Sequence, residues 1–302
     1  MTLAEAPSTV APPPATRRRS RSRLAWLGVA PFFLFVFMFI VLPAGFLVIG
    51  SFVVQETGSL GLDNYIGLTD PYFAQAFWNS IVVSFMSATI GAGFGFLLAW
   101  AAINGRLPAI LRSGLMTFSG VASNFAGIPL ALAFVFTLGN LGLVTKFIFD
   151  LTGFRLQSTG FSLYSMAGII IVYLYFQFPL MVLVIAPAIE GLRKEWREAA
   201  ENLGATPRTY WRRVALPILT PSLLGAGILL FGNAFGAQAT VYQLSGGTIP
   251  IITLVISSQM QGDVLFNPGL GYAAAMGMVI IMGACITAYS LLQRRSERWL
   301  RR

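Results

Sequence analysis

The stretch MAGIIIVYLYFQFPLMVLVIAPAIEGLRKEWREAAENLGATP occupies residues 166–207, and its character changes abruptly at residue 190. Residues 166–189 contain no Asp, Glu, Lys or Arg, whereas residues 190–207 contain seven of them. A helix needs about 20 apolar residues to cross the hydrocarbon core of a bilayer. The stretch therefore predicts a membrane-spanning helix followed by a polar loop.

Five further runs without a charged residue are long enough to cross a membrane: 24–52, 78–103, 113–138, 222–244 and 272–292. Unpaired backbone groups that face lipid cost several kcal/mol each, so these runs must be helical. Strands of a membrane barrel would be about 10 residues long with alternating polarity, and that pattern is missing. We predict an all-α membrane protein with six transmembrane helices.

The composition argues against a soluble protein and against an enzyme. Hydrophobic residues make up 56% of the chain and charged residues only 10%, where a soluble domain carries about 25%. The sequence has one cysteine, Cys285, and no histidine, and neither Lys146 nor Lys194 follows a glycine-rich phosphate loop. We expect no catalytic, cofactor-binding or metal-binding residues and no ATPase site in the chain itself.

The basic residues indicate the orientation in the membrane. With the N-terminus inside, 18 of the 20 Lys and Arg residues fall in four inner segments: the tail to residue 23, 104–112, 190–221 and 293–302. The outer loops hold only Lys146 and Arg155. Because inner loops are enriched in Lys and Arg, both termini are expected in the cytoplasm. The net charge of +9 is then explained by orientation and contact with lipid, and nucleic acid is not an expected partner.

The same reasoning divides the chain into three parts. Residues 1–23 are predicted to form a disordered basic cytoplasmic tail, and residues 294–302 a second basic cytoplasmic tail. Residues 24–293 form the six-helix membrane domain, which includes the cytoplasmic loop 190–221.

The loop 190–221 is longer than a simple connection needs. Five apolar residues recur on one face of a helix: Leu192, Trp196, Ala199, Ala200 and Leu203. Gly204 is a helix stop, and Thr206 with Pro207 is the start of a second helix. Thr220 and Pro221 repeat that start signal before the fifth span. This pattern alone is compatible with a helix on the inner leaflet or with a docking element for another protein.

The loop also carries a motif: Glu198-Ala199-Ala200, Gly204, Val214 and Leu216-Pro217 at fixed spacing. It resembles the EAA loop of ABC-importer permeases, with Val214 where the family has isoleucine. The resemblance implies the type I ABC importer permease fold, in which this loop is a coupling helix docked in a separate ATP-hydrolysing subunit. The residues at that contact would be Glu198, Ala199, Ala200, Gly204, Ala205 and Pro207.

The resemblance also implies the partners and the location. They are two ATP-binding subunits, which would bind the ATP, a second permease and an extracytoplasmic solute-binding protein, at a bacterial inner membrane. Residues 122–132 and 233–247 are similar to the spermidine/putrescine, phosphonate and ferric-iron branch, which often pairs two non-identical permeases. The expected function is ATP-driven import of a small polar solute.

Four polar residues lie within the predicted spans among prolines and glycines: Asn124, Gln177, Asn233 and Gln238. They are candidates for the translocation path, and the alternative is ordinary hydrogen bonding between helices. Many relatives have an acidic residue near position 238, where this chain has Ala237 and Gln238.

Two questions stay open in the sequence. Residues 249–260 are apolar but too short to span, and form either a re-entrant or surface helix near an outer gate or a segment packed on the bundle. The rival function is a secondary transporter or channel without ATPase partners. Such carriers usually keep ionisable groups within their spans, and the six predicted spans contain none.

Overall fold

The computed structural model describes residues 24–55, 58–105, 107–154, 158, 160–261 and 266–300. The chain divides into two compact units, Met1–Phe46 and Leu47–Arg302. The α-helices in chain order are α1 Leu24–Val36, α2 Leu42–Phe52, α3 Asp63–Gly67, α4 Pro71–Asn104, α5 Ala109–Ala122, α6 Ile128–Leu138, α7 Leu143–Thr152, α8 Met166–Glu190, α9 Lys194–Asn202, α10 Pro207–Tyr210, α11 Leu216–Phe235, α12 Ala239–Ser245, α13 Ile252–Gln261 and α14 Pro268–Leu300. The tail predicted over 1–23 lies outside the described residues.

Six helical runs in the described residues are long and apolar enough to cross a membrane: Gly28–Phe52, Pro71–Asn104, Ile128–Thr152, Met166–Glu190, Pro207–Phe235 and Pro268–Arg294. Each run overlaps one of the predicted spans, so the all-α, six-span architecture is confirmed. The third and fifth spans differ in detail from the prediction.

The third span, predicted as one helix over 113–138, is broken. α5 ends before a turn at 123–127, and α6 starts after Gly127, which has a φ of +75°. Arg112 at the start of α5 forms an ion pair with Glu190 at the end of α8. At the other end, a Cβ on Gly139 would lie 3.3 Å from the hydroxyl of Tyr164, just before α8. α5 and α6 together therefore run the length of α8 and form the third crossing, although hydropathy alone selects 128–152.

The fifth span, predicted as one helix over 222–244, is also broken. α11 ends at Phe235 and α12 begins at Ala239, with 236–238 non-helical between them. The predicted helix start at Thr220 and Pro221 is wrong, because α11 passes through both residues. The hydroxyl of Thr220 donates to the carbonyl of Leu216 at 2.7 Å instead of capping a new helix.

In the part of the chain that the structure describes, two π-helical turns interrupt otherwise regular helices, and each ends directly before a Leu-Pro pair. They are Phe37–Val41 and Trp211–Ala215, followed by Pro43 and Pro217 at the second position of the next helix. A proline lacks the amide hydrogen, and its ring crowds the carbonyl four residues earlier. A wider turn just before the proline accommodates that ring, as π-bulges do elsewhere.

α4 packs closely against α8 along a stripe of small residues. A Cβ on Gly91 would lie 2.7 Å from the Cβ of Gln177. A Cβ on Gly95 would lie 2.6 Å from the Cβ of Met181 and 2.9 Å from the carbonyl oxygen of Phe178. Small residues at such positions let two membrane helices approach backbone to backbone.

The short apolar segment at 249–260 packs on the bundle, largely as α13. The side chain of Asn79 donates to the carbonyl of Pro250 at 2.9 Å. The amide of Ile252 donates to the hydroxyl of Ser80 at 2.9 Å, and the Ile252 side chain is buried. These contacts fix the segment on the N-terminal part of α4.

Candidate functional site

The loop after α8 folds as two short helices joined by a tight turn. Gly204 ends α9 with a φ of +79°, a left-handed conformation that glycine adopts without strain. The amide of Gly204 donates to the carbonyl of Glu201, and the amide of Ala205 donates to the carbonyl of Ala200, both at 2.9 Å. This pair of bonds is a Schellman motif. The helix stop predicted at Gly204 is confirmed.

The second half of the loop begins at the predicted cap and is anchored to α4. Thr206 Oγ1 accepts a hydrogen bond from the amide of Thr209 at 3.3 Å, and Pro207 occupies the first turn of α10. The ring of Trp211 packs edge-on against Trp100 near the end of α4, with centroids 5.8 Å apart. The turn is thus held at a defined distance from the membrane helices.

The apolar face of α9 has no cover within the described chain. No side chain of Lys194–Asn202 is buried. Leu203, which closes the apolar stripe, is 89% exposed. The guanidinium of Arg193 lies 5.7 Å from the ring centroid of Trp196 and shields it in part. The exposed or half-buried residues around this turn include all six predicted docking residues: Glu198, Ala199, Ala200, Gly204, Ala205 and Pro207.

Two ion pairs shape the loop. Arg197 Nε donates to Glu201 Oε1 at 2.8 Å along α9. This hydrogen bond and the charge of Glu201 raise the pKa of Arg197 above its ordinary value. The pair of Arg112 with Glu190 ties the first residue of the loop to α5. Both pairs are exposed to solvent, so each adds little to the stability of the loop.

Two helix interruptions lie against each other within the bundle, at 123–127 and at 236–238. The amide of Gly127 donates to Thr240 Oγ1 at 2.9 Å, and the Thr240 hydroxyl approaches the Gly127 carbonyl at 3.3 Å. Non-helical backbone at membrane depth is tolerated where it is buried in protein or lines a cavity. The paired interruptions are therefore the strongest candidate for a functional centre inside the membrane.

Side chains of α8 bind backbone carbonyls of the fifth span. Tyr173 donates its hydroxyl to the carbonyl of Ala237 at 2.9 Å, directly at the interruption. Gln177 donates Nε2 to the carbonyl of Leu230 at 3.0 Å. Its Oε1 is buried and has no hydrogen-bond partner among the described residues. Gln177 thus forms a hydrogen bond between helices, which was the alternative to a position on the translocation path.

The other three path candidates are exposed within the chain, and no contact brings them together in the described residues. Asn124 lies at the first interruption and donates to the carbonyl of Gly120 at 2.9 Å. Asn233 lies on α11, and Gln238 lies at the second interruption. Their assignment to the translocation path stays a prediction.

A cavity of about 520 Å³ opens beside Gln238 between α4, α12 and α13. Its polar lining consists of hydroxyl and amide side chains: Tyr72, Gln238, Tyr242, Ser257, Ser258 and Gln261. Among the residues that the structure describes, no charged side chain lines it. Among the described residues, no group of three or more Cys, Asp or Glu side chains could hold a metal ion.

Sequence reasoning missed two residues of the interruption pair. Neither Tyr173 nor Thr240 was among the candidate residues. Glycine and proline near 127 and 236 signalled irregular backbone, but nothing local signals which distant hydroxyl satisfies it.

Comparison with known families and proteins finds extensive similarity. A family model described as "Binding-protein-dependent transport system inner membrane component" matches residues 91–302. The sulfate transport system permease protein CysT of Salmonella typhimurium is 26% identical over 275 residues, covering 88% of this chain and 91% of that protein. The spermidine/putrescine transport system permease protein PotB of Haemophilus influenzae is 25% identical over 282 residues, covering 89% and 95%.

Two solved structures share the fold. The crystal structure of a bacterial ABC transporter involved in the import of the acidic polysaccharide alginate matches with a TM-score of 0.71 and 18% identity, covering 90% of this chain and 95% of that chain. The MetNI methionine ABC transporter matches with a TM-score of 0.54 and 16% identity, covering 74% and 95%.

Proposed function

The chain belongs to the family of binding-protein-dependent transport system inner membrane components, the membrane-spanning permeases of ABC importers, and we propose that its 190–221 loop couples ATP hydrolysis in partner subunits to import of a small polar solute. The resemblance seen in the loop motif is confirmed at the level of the family and the type I permease fold. The docking role of the loop is the proposal.

The uncovered face of α9 carries this proposal. An apolar stripe that ends in Leu203, 89% exposed, needs a partner surface. The Schellman turn at Gly204 and the contact of Trp211 with Trp100 hold that stripe in one orientation. A fixed helix–turn–helix suits a protein groove better than a helix lying loosely on lipid. Closure of the ATPase pair would draw two such loops together and switch the bundle from inward-facing to outward-facing.

The partners follow from this role. Two ATP-binding subunits would bind the ATP, so the chain itself needs no cofactor and no catalytic residue. A second, non-identical permease would complete the pore, and a solute-binding protein would deliver the cargo outside. One solved relative is an alginate transporter in complex with a periplasmic protein bound to an alginate pentasaccharide. Both termini and the 190–221 loop would lie in the cytoplasm of a bacterium.

The cargo is proposed to be a small polar solute that passes the cavity beside Gln238. The described residues that line that cavity offer hydroxyl and amide groups, which suits a solute held by neutral hydrogen bonds. The relatives CysT and PotB are named for sulfate and for spermidine/putrescine. Phosphonate belongs to the same range of expected cargoes. Asn124, Asn233 and Gln238 are the proposed contacts along the path.

Co-purification tests the docking role. The chain is expressed with its neighbouring genes, pulled down by a tag and analysed for a stoichiometric ATPase subunit. With Leu203→Asp, the ATPase subunit should no longer co-purify, because the substitution places a charge in the apolar contact. The matched control is Leu60→Asp, because Leu60 is 76% exposed in the loop between the first two predicted spans, and it should retain the subunit.

The rival function makes the opposite prediction. A secondary transporter or channel would be purified without an ATPase subunit, and the purified protein would show no ATP hydrolysis. Retention of the ATPase subunit by Leu203→Asp would also contradict the docking assignment, provided the variant inserts normally.

A further inference from the structure

α7 follows α6 after one tight turn and carries an apolar stripe that the described chain leaves uncovered. The amide of Gly142 donates to the carbonyl of Gly139 at 2.9 Å, and α7 begins at the next residue. Leu143, Phe147 and Leu151 are spaced four residues apart and are 76%, 62% and 68% exposed. Such spacing places them on one side of the helix.

The other sides of α7 differ sharply from this stripe. Thr145 is buried and faces the bundle, at 5% exposure. Lys146 and Asp150, also four residues apart, are exposed and form a charged stripe next to the apolar one. A helix with one bundle-facing side, one apolar side and one charged side has the pattern of an interfacial helix.

The position of α7 indicates what covers the apolar stripe. α6 is the last part of a membrane crossing and exposes Phe136, 69% accessible, shortly before it ends at Leu138. Leu141 in the connecting turn is 97% exposed. Exposed apolar side chains thus occur at the end of the crossing, in the connecting turn and along the stripe of α7. A protein interface would be expected to include hydrogen-bonding groups, and Leu143, Phe147 and Leu151 offer none in their side chains.

We propose that α7 lies in the lipid headgroup region at the end of α6, with Leu143, Phe147 and Leu151 inserted among acyl chains and Lys146 directed to the headgroups. The occupant of this surface is the bilayer itself. The assignment does not depend on the cargo or on the ATPase partner, so it can fail or succeed separately from the proposed function.

A fluorescent probe at single cysteines tests the assignment. The full chain carries Cys285→Ser together with Phe147→Cys or Lys146→Cys, and the new thiol is labelled with an environment-sensitive fluorophore. The protein is reconstituted in vesicles of phosphatidylethanolamine and phosphatidylglycerol. The probe at 147 should emit at shorter wavelength and be quenched several-fold more by lipids with a shallow doxyl group than the probe at 146. Iodide in the buffer should quench the probe at 146 more strongly.

Leu151→Cys repeats the measurement at a second position of the stripe, in case Phe147→Cys folds poorly. Equal iodide quenching at 146, 147 and 151 would place the stripe in water and overturn the proposal. Protection from both iodide and doxyl lipid would show that protein covers the stripe, either a second permease or a solute-binding protein, and would also overturn it.

Discussion

At the scale of single residues, Gly204 controls the shape of the turn between α9 and α10. Its φ is +79°, and a Cβ added there would meet no atom within 4 Å. Gly204→Val should therefore strain the backbone by about 1–2 kcal/mol without a steric clash inside the chain. We expect normal membrane insertion but uptake reduced by about tenfold, since that strain corresponds to roughly one order of magnitude in an equilibrium. Uptake and ATP hydrolysis measured together in proteoliposomes would show hydrolysis that no longer drives transport.

The matched control for this change is Gly153→Val. Gly153 ends α7 with a φ of +67°, also without an atom within 4 Å of an added Cβ. Gly153→Val imposes the same backbone strain away from the 190–221 loop, so uptake should stay near the unmodified level. Equal losses in both variants would mean that strain alone, and not docking, explains the effect at Gly204.

The hydroxyl of Tyr173 is expected to hold the helix interruption at Ala237 together. Tyr173→Phe removes the donor of the 2.9 Å bond and leaves the Ala237 carbonyl short of a partner. The cost should be about 0.6–1.7 kcal/mol, the range found for hydrogen bonds between membrane helices. Thermal unfolding in detergent should show a lower midpoint. Tyr175→Phe is the control, because the Tyr175 hydroxyl has no hydrogen bond in the described residues while its ring packs on Phe125; an equal shift there would refute the role of the bond.

The turn in the 190–221 loop was predictable from the sequence, whereas the contacts at the two helix interruptions were not. The reason is how far apart the contacting residues lie in the chain. The turn at Gly204 depends on Ala200, Glu201 and Ala205, which are near neighbours in the chain. The bond of Tyr173 joins residues 64 positions apart, and that of Gly127 with Thr240 joins residues 113 apart. Local turn chemistry can be read from the sequence, but partners at such separation depend on how the helices pack.

At the scale of elements, the contact of α4 with α8 should be sensitive to one methyl group. Gly95→Ala would place a Cβ 2.6 Å from the Cβ of Met181 and 2.9 Å from a backbone oxygen, so one helix must shift. Overpacking of this kind costs about 1–3 kcal/mol. We expect a lower unfolding temperature and a smaller monodisperse fraction on gel filtration.

Gly93→Ala is the matched control for this contact. Gly93 lies two residues away on the same helix, and an added Cβ would meet nothing within 4 Å. Helix propensity favours alanine over glycine by about 1 kcal/mol, so this variant should be as stable as the original or slightly more so. Destabilisation of both variants to the same degree would argue against the close α4–α8 contact.

The broken spans show what charge patterning leaves out at this scale. The runs 113–138 and 222–244 were correct in location, because the absence of charge marks membrane depth. Their continuity was wrong, because the interruptions at Gly127 and Gly236 lie inside runs that contain no charged residue on either side of the break. The two interruptions satisfy each other through Gly127 and Thr240, and only the packed bundle contains that pairing.

At the scale of the whole molecule, α8 links the candidate path to the 190–221 loop. Tyr173 and Gln177 hold the fifth span from one part of α8, and Glu190 at its end forms the ion pair with Arg112. Trp211, just before the fifth span, packs on Trp100 of α4. A displacement of the 190–221 loop would therefore act on α4, α5, α8 and α11 together, as expected of helices that move as one group.

The orientation of this unit is the remaining prediction, and it rests on charge alone. Six crossings place both termini on one side, and 18 of the 20 basic residues fall on that side when it is the cytoplasm. In a Cys285→Ser background, Leu203→Cys should react with a membrane-impermeant maleimide only after the inner face is opened. Asn140→Cys, exposed in the turn before α7, should react in intact cells. The reverse pattern would invert the topology, and it would remove the 190–221 loop from the compartment that contains ATP. The location of Leu203 thus decides whether the loop can have the function proposed for it.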